Sequence, residues 1–239
     1  MRYEIEGGSL PAVILHLNAG ETIISEVGGR TWTKGPVETD TKGGGIGKGL
    51  GRMFSGESLF MSHYTAKGPA EIGFASSFAG RIVARELGAG ESIICQKSAF
   101  LCATQGVDLS VHFQKKLGAG LLGGEGFVLQ RLVGDGMAFV HACGKIVEIS
   151  LRQQSLRVSP GCIVAFEESI GYGIETVDSF SNMFGAKSIF WAKLTGTGHV
   201  WLQSLPFNVL ANRICEEGKR QGLFGNPREA ATPSIRLFE

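Results

Sequence analysis

The chain has 239 residues, 43% of them hydrophobic, and a formal net charge of +1 at pH 7. This length fits one large domain or two small ones with a sizeable core, and the balanced charge excludes a global electrostatic pull toward nucleic acid or an anionic membrane. The 36 glycines and 7 prolines indicate many tight turns. The five cysteines form no CxxC pair and lie in apolar surroundings, which is typical of reduced thiols.

The N-terminal stretch MRYEIEGGSLPAV does not read as a targeting signal. It contains acidic residues and a proline where a secretory signal needs an unbroken apolar run. No window of the chain reaches the eighteen apolar residues that a membrane-spanning helix needs. We therefore expect a cytoplasmic protein without a signal peptide or transmembrane helix, one that can lie at the periphery of a membrane.

Short apolar runs separated by glycine-bearing turns make up most of the chain, and this pattern is typical of β-hairpins. In chain order the runs are SLFMSHYT, GRIVARELGAGESIIC, GFVLQRLV, KIVEISLRQQSLRVSPGCIVAF and SIFWAKLT. Near the C-terminus, Pro206 precedes an apolar stripe that predicts one helix over residues 207–222. The sequence predicts an all-β sandwich or barrel with one short C-terminal helix and a loosely ordered tail over residues 223–239.

Two patterns occur three times each. The first opens with an apolar pair at Met53, Leu121 and Met183 and reaches a glycine fifteen residues later. The second is LNAGETII at 17–24, LGAGESII at 87–94 and the more diverged VSPGCIVA at 158–165. Their recurrence predicts duplication into three β-repeats over residues 1–76, 77–144 and 145–206. The glycines assigned to the repeated turns are Gly20, Gly68, Gly90, Gly136, Gly161 and Gly198.

Two glycine-rich stretches suggest nucleotide binding, but neither has the required context. In KGGGIGKGLGRMFSGE, residues 42–57, Lys42 stands where a Walker A loop needs its first glycine, and Gly49 follows Lys48 where the loop needs a hydroxyl. The run GAGLLG at 118–123 matches GxGxxG, but no acidic residue follows at the distance that a dinucleotide-binding fold requires. We predict no nucleotide cofactor.

Catalytic and metal-binding residues cannot be assigned from the sequence. The five histidines include no HxH pair, which cupin-type metal sites need. His141 and Cys143 share one strand face and can ligate a metal, but a strand histidine beside a buried thiol is the favoured interpretation. Glu167 and Glu168 are adjacent, so on a strand they point to opposite faces and cannot act as an acid/base pair. We expect no cofactor, and the balance favours a protein that is not an enzyme.

The positive signal is a set of large apolar residues next to loops. Two such residues open each copy of the first pattern, although connections usually run over the surface. They can cap the core of their own repeat, meet around a threefold or pseudo-threefold axis, or contact a partner or membrane. These candidate interface residues are Met53, Phe54, Leu121, Leu122, Met183 and Phe184.

Residues 1–215 resemble the family that includes the fungal protein altered inheritance of mitochondria 24. The likeness lies in GRMFSGESLFMSHYTA, in the AGES turn with its apolar run, and in WLQSLPFNVLANRI. It implies repeats of a shortened double-stranded β-helix, similar in shape to subunits of the tryptophan RNA-binding attenuation protein, and a trimeric assembly. It carries over no catalytic residue. The fungal relative is implicated in organising the mitochondrial inner membrane.

These observations lead to a non-catalytic binding or scaffolding protein that acts as a homotrimer of nine repeats in a pseudo-threefold arrangement. One alternative is a peripheral membrane protein that organises membrane complexes, using the apolar pairs with Lys42, Lys48 and Arg52. Another is a ring that binds RNA or a small ligand. Periodic RNA contact needs a basic residue at one place in each repeat, and the varying charge at residues 67, 135 and 197 argues against it.

Overall fold

The computed structural model describes residues 1–26, 29, 32–42, 61–76, 78–115, 127–177 and 189–223. The described part is mostly β-strand with one α-helix, as the sequence predicts. The fifteen strands are β1 (Arg2–Glu6), β2 (Ala12–Leu17), β3 (Thr22–Glu26), β4 (Trp32–Lys34), β5 (Val37–Lys42), β6 (Met61–Ala66), β7 (Ala70–Ala75), β8 (Gly80–Gln96), β9 (Phe100–Thr104), β10 (Val107–Lys115), β11 (Phe127–Cys143), β12 (Ile146–Val158), β13 (Ile163–Glu167), β14 (Ile170–Val177) and β15 (Ile189–Gln203).

The strands form two antiparallel sheets. The smaller sheet has the order β1-β2-β7-β4. The larger has the order β12-β15-β13-β8-β11-β9-β3-β6-β5, with β10 paired to β11 and β14 paired to β15 beside this path. Among the described residues, β4 therefore ends the smaller sheet and pairs with β7 alone, while β12 ends the larger sheet and pairs with β15 alone.

Four strands are unusually long because each runs through a bulge. β8 and β11 have 17 residues each, β15 has 15 and β12 has 13. The β8–β11 ladder shifts register between Gly134 and Gly136, and the β12–β15 ladder shifts between Arg152 and Gln154. A bulge bends a strand. The two halves of β11 accordingly have different second neighbours: β10 beside the first half and β9 beside the second.

The core consists of three hydrophobic clusters that cross the predicted repeat boundaries. The first cluster joins Tyr64 and Phe74 to Phe139 of β11. The second joins Ile24 of β3 and Leu132 of β11 to Val164 of β13. In the third, Ile94, Phe127 and Leu129 pack against β12 to β15. Every cluster therefore contains residues from at least two of the predicted repeats.

The C-terminal helix, α1, spans Phe207–Arg220, two residues shorter than the sequence predicts. Pro206 stands at its N-cap, and Lys219 and Arg220 lie in its last turn, where positive charge suits the helix dipole. The ring of Phe207 stacks on that of Phe78 with 3.9 Å between centroids, which fixes the start of the helix against the strands. In the described part of the chain, no helix is long and apolar enough to cross a membrane.

Candidate functional site

The candidate interface residues from the sequence lie outside the described residues. This holds for all three apolar pairs: Met53 and Phe54, Leu121 and Leu122, and Met183 and Phe184. The role of these pairs at an interface therefore stays a prediction.

Three of the predicted turn glycines lie between strands or at a strand bend. Gly20 lies between β2 and β3 with φ at 88°, and Gly90 lies in the bend of β8 with φ at 80°. Both angles are in the left-handed region that a residue with a Cβ rarely adopts. Gly68 lies in the turn between β6 and β7.

Of the other three predicted turn glycines, two need correction. Gly136 and Gly198 lie inside β11 and β15, because these strands continue through a bulge where a turn was expected. A Cβ on Gly136 would collide with the side-chain hydroxyl of Thr104 on β9, so the packing of this side chain accounts for the glycine. Gly161 lies in a short 3-10 turn, Pro160–Cys162, after β12. The residue at the bulge of β12 is Gln153, and its φ is 54°.

A cavity of about 170 Å³ lies between the strands and the start of α1. Phe78 and Phe207 close one side, and His141 and Cys143 of β11 line another. The side chain of Gln203 crosses the base of the cavity, donating from Nε2 to the Gly161 carbonyl at 2.7 Å and accepting from the Cys143 N–H at 2.9 Å. The Gln96 Oε1 atom is buried there without a hydrogen-bond partner among the described residues.

The titratable groups of this cavity are held in their neutral forms. Burial lowers the pKa of His141, which lies 3.1 Å from Ser76 Oγ through its Nδ1 atom. Burial also raises the pKa of the Cys143 thiol. A protonated thiol is a weak nucleophile, and a neutral imidazole that is already hydrogen-bonded has little freedom to act as a base.

The buried cysteines are structural as well. Burial raises the pKa of Cys95 to about 12 and that of Cys102 well above its ordinary value. All five cysteines are unpaired, and Cys215 on α1 is the exposed one. Among the described residues, no group of three His, Cys, Asp or Glu side chains is arranged to hold a metal ion.

An ionic cluster that the sequence did not predict ties the turn after β13 to β8 and β11. Glu168 receives hydrogen bonds from Arg131 Nε at 2.7 Å and Arg131 Nη2 at 2.8 Å, and also from the Ser92 hydroxyl. Next to it, Glu167 accepts from Arg85 at 3.4 Å and from the His199 N–H at 3.1 Å. These two adjacent glutamates thus connect distant parts of the chain.

The Glu168 cluster gives a pH-dependent prediction. Arg131 and Ser92 lower the pKa of Glu168 from 4.5 to about 2, so its charged form stabilises the folded state above pH 4.5 and this stabilisation is lost as the pH falls toward 2. Glu168→Gln should lower the free energy of unfolding by about 1 kcal/mol or less near pH 7, because the pair is partly exposed. Guanidinium unfolding of the wild type and the variant from pH 7 to pH 3 measures the difference between their free energies of unfolding. A difference that does not narrow as the pH falls contradicts the stabilising role of charged Glu168.

The two sheets and their long bent strands define a class of antiparallel β-proteins with one C-terminal helix. An X-ray structure of a Streptococcus pyogenes protein is similar, with a TM-score of 0.73 and 24% identity over 92% of this chain and 99% of that one. An uncharacterized protein of Streptococcus pyogenes serotype M6 is 26% identical over 224 residues, 90% of either chain. The profile of the family described as Mitochondrial biogenesis AIM24 matches residues 3–205. The chain belongs to this family.

Proposed function

We propose that the protein is a non-catalytic scaffold, built from three β-repeats and acting as a homotrimer of nine such units. The observation that carries the proposal is a strand-pairing scheme that recurs along the chain. In the first unit, β2 pairs with β7, β3 with β6, β5 with β6, and β4 with β7. All four pairings lie within the predicted repeat over residues 1–76.

The same four pairings occur in the second and third units, but with longer strands. There, β8 or β12 takes the place of both β2 and β3, and β11 or β15 takes the place of both β6 and β7. β8 and β11 pair along both halves, β10 pairs with the first half of β11, and β9 with its second half. β12 and β15 likewise pair along both halves, with β14 and β13 in the places of β10 and β9. Duplication of one supersecondary unit accounts for this recurrence more simply than three independent origins.

The backbone bends support the same alignment. Ile23 pairs with Tyr64, Ile93 with Leu132, and Leu156 with Leu194, a short distance after each bend. The bends contain Gly20, Gly90 and Gln153, and all three have positive φ. We therefore propose that the third copy of the second sequence pattern lies around residue 153, eight residues before Gly161.

The ionic cluster and the shared cores support a scaffolding role. Arg131 belongs to the second unit and Glu168 to the third, so this ion pair spans the joint between two units. Ile24 and Ile94 pack into cores made with the following unit. Such side chains hold repeat units in a fixed arrangement, as in other repeat proteins whose units contact only their neighbours.

Sedimentation velocity over a concentration series tests the proposed assembly. The expected result is a single species of about 76 kDa, three times the chain mass of 25.4 kDa, at micromolar concentration. A species of 25.4 kDa that persists at tens of micromolar would overturn the trimer.

A second candidate function, membrane association, is favoured by the surface of α1. Phe207 and Ile214, which are seven residues apart on one face of the helix, are 45% and 58% exposed, and basic residues occupy the last turn. An amphipathic helix of this kind can lie in a membrane interface. Flotation with phosphatidylglycerol-containing vesicles tests it with Ile214→Asp, against Leu10→Asp at an exposed apolar position outside the helix. Loss of flotation in the helix variant alone supports this function, and equal flotation of both variants contradicts it.

A further inference from the structure

Two strand edges are left open at the ends of the proposed repeat array. Within the chain, each unit joins the next by one antiparallel pairing: β3 with β9, and the second half of β8 with β13. At one end of the array, the second half of β12 corresponds to β3 and to the second half of β8. At the other end, β4 corresponds to β9 and β13. In the described part of the chain, β12 has only β15 as a neighbour and β4 has only β7.

We propose that β4 of one copy pairs with the second half of β12 of another copy, in the antiparallel arrangement of the two internal joints. The proposal rests on the homo-oligomer proposed above and assigns its contact surface. A head-to-tail contact of this kind joins two different surfaces of the same chain and generates a ring when the rotation closes. Main-chain hydrogen bonds between the two edge strands stabilise such a contact.

The two internal joints have the same register, which makes the third one predictable. Ile23 lies opposite Thr104 and Ile24 opposite Ala103 in the first joint. In the second joint, Ile93 lies opposite Glu167 and Ile94 opposite Phe166, with Cys95 opposite Ala165. Thr104 corresponds to Glu167 and Ala103 to Phe166 in the aligned units, so both joints place equivalent residues opposite each other.

The residues at the open edges follow from this alignment. Cys102, Ala165 and Lys34 pair with Phe139, Trp201 and Glu71, each of which lies three residues after an aligned glycine. Lys34 is therefore the counterpart of Cys102 and Ala165, and Val158 is the counterpart of Cys95. The predicted joint places Val158 opposite Lys34, Arg157 opposite Gly35 and Leu156 opposite Pro36.

The open edges are more polar than the internal joints. Arg157 is the counterpart of Ile24 and Ile94, which are buried in the core shared with the following unit. Its Nε atom donates a hydrogen bond to Glu175 Oε2 at 2.7 Å. Thr33, Lys34, Gly35 and Pro36 are all exposed. Charged residues and proline at a sheet edge discourage pairing with unrelated strands.

Engineered disulfides test the register. Opposed Cα atoms in an antiparallel pair lie about 4.5–5.5 Å apart, within the range that a disulfide spans, whereas diagonal positions lie about 7–8 Å apart. The test variants, in a Cys215→Ser background, are Lys34→Cys with Val158→Cys, and Pro36→Cys with Leu156→Cys. The matched control is Lys34→Cys with Leu156→Cys, which uses the same edges two residues out of register.

After mild oxidation, both in-register variants should form covalent species larger than one chain, at least about tenfold more than the diagonal control. A disulfide within one chain would overturn the proposal, because it would mean that β4 and β12 of the same chain close the array. An oligomer by sedimentation without cross-linking of either in-register variant would overturn the joint and leave the scaffold intact. A monomer by sedimentation, with no cross-linking, would overturn both.

Discussion

Replacing Phe166 with alanine is expected to lower the free energy of unfolding by about 3–5 kcal/mol, because a large apolar side chain is removed from a closed core. Phe166 has no exposed surface and belongs to the cluster shared by β8, β11 and the strands from β12 onward. Its ring stacks on Tyr172 with 6.1 Å between centroids. Burial in this cluster also raises the pKa of Tyr172. The variant should therefore weaken the packing of β13 against β8 and β11.

Equilibrium unfolding in guanidinium chloride measures this effect. Phe166→Leu is the control and should cost less than about 1.5 kcal/mol, because most of the apolar volume is retained. A loss below about 1 kcal/mol for the alanine variant would show that the cluster closes around the space or that β13 is not packed as described.

Replacing Gly134 with alanine is expected to lower the free energy of unfolding by about 3 kcal/mol, the upper end of the range for overpacking. Gly134 lies opposite Val107 where β10 and β11 approach most closely. A Cβ there would collide with the Gly106 carbonyl oxygen and lie 2.8 Å from the Val107 Cα atom. Both are backbone atoms, so the two strands would have to separate.

Gly173→Ala in β14 is the matched control. A Cβ at Gly173 meets no atom within 4 Å, so this variant should be neutral or up to about 1 kcal/mol more stable through the reduced entropy of its unfolded chain. Thermal and chemical unfolding of both variants measure the difference. Equal stability of the two variants would contradict the close approach of β10 and β11.

The sequence predicted the secondary structure because its signals are local. Apolar alternation with glycine-bearing turns identified an all-β chain, and Pro206 with its apolar stripe located α1 to within two residues. It did not predict that β11 and β15 continue past Gly136 and Gly198. A glycine at a bulge and a glycine in a turn look alike in sequence, and only the ladder on the partner strand distinguishes them.

Interactions between distant segments could not be predicted. Glu168 and Arg131 are separated by 37 residues, and Ile94 meets Phe166 only because β8 and β13 are neighbours in the larger sheet. The bulge of β12 could not be predicted either. A Pro-Gly pair marks a turn, and Pro160–Cys162 is one, but the bulge at Gln153 has no sequence signal because glutamine rarely adopts positive φ.

Three repeats in each chain are proposed to continue across open strand edges into a closed assembly. Single-particle cryo-electron microscopy of the wild-type protein is the most direct test of this assembly. The expected particle is a ring of about nine β-units, three from each chain, with β4 of every chain paired to β12 of its neighbour. A particle in which β4 and β12 face solvent, or contact another chain through other strands, would contradict it.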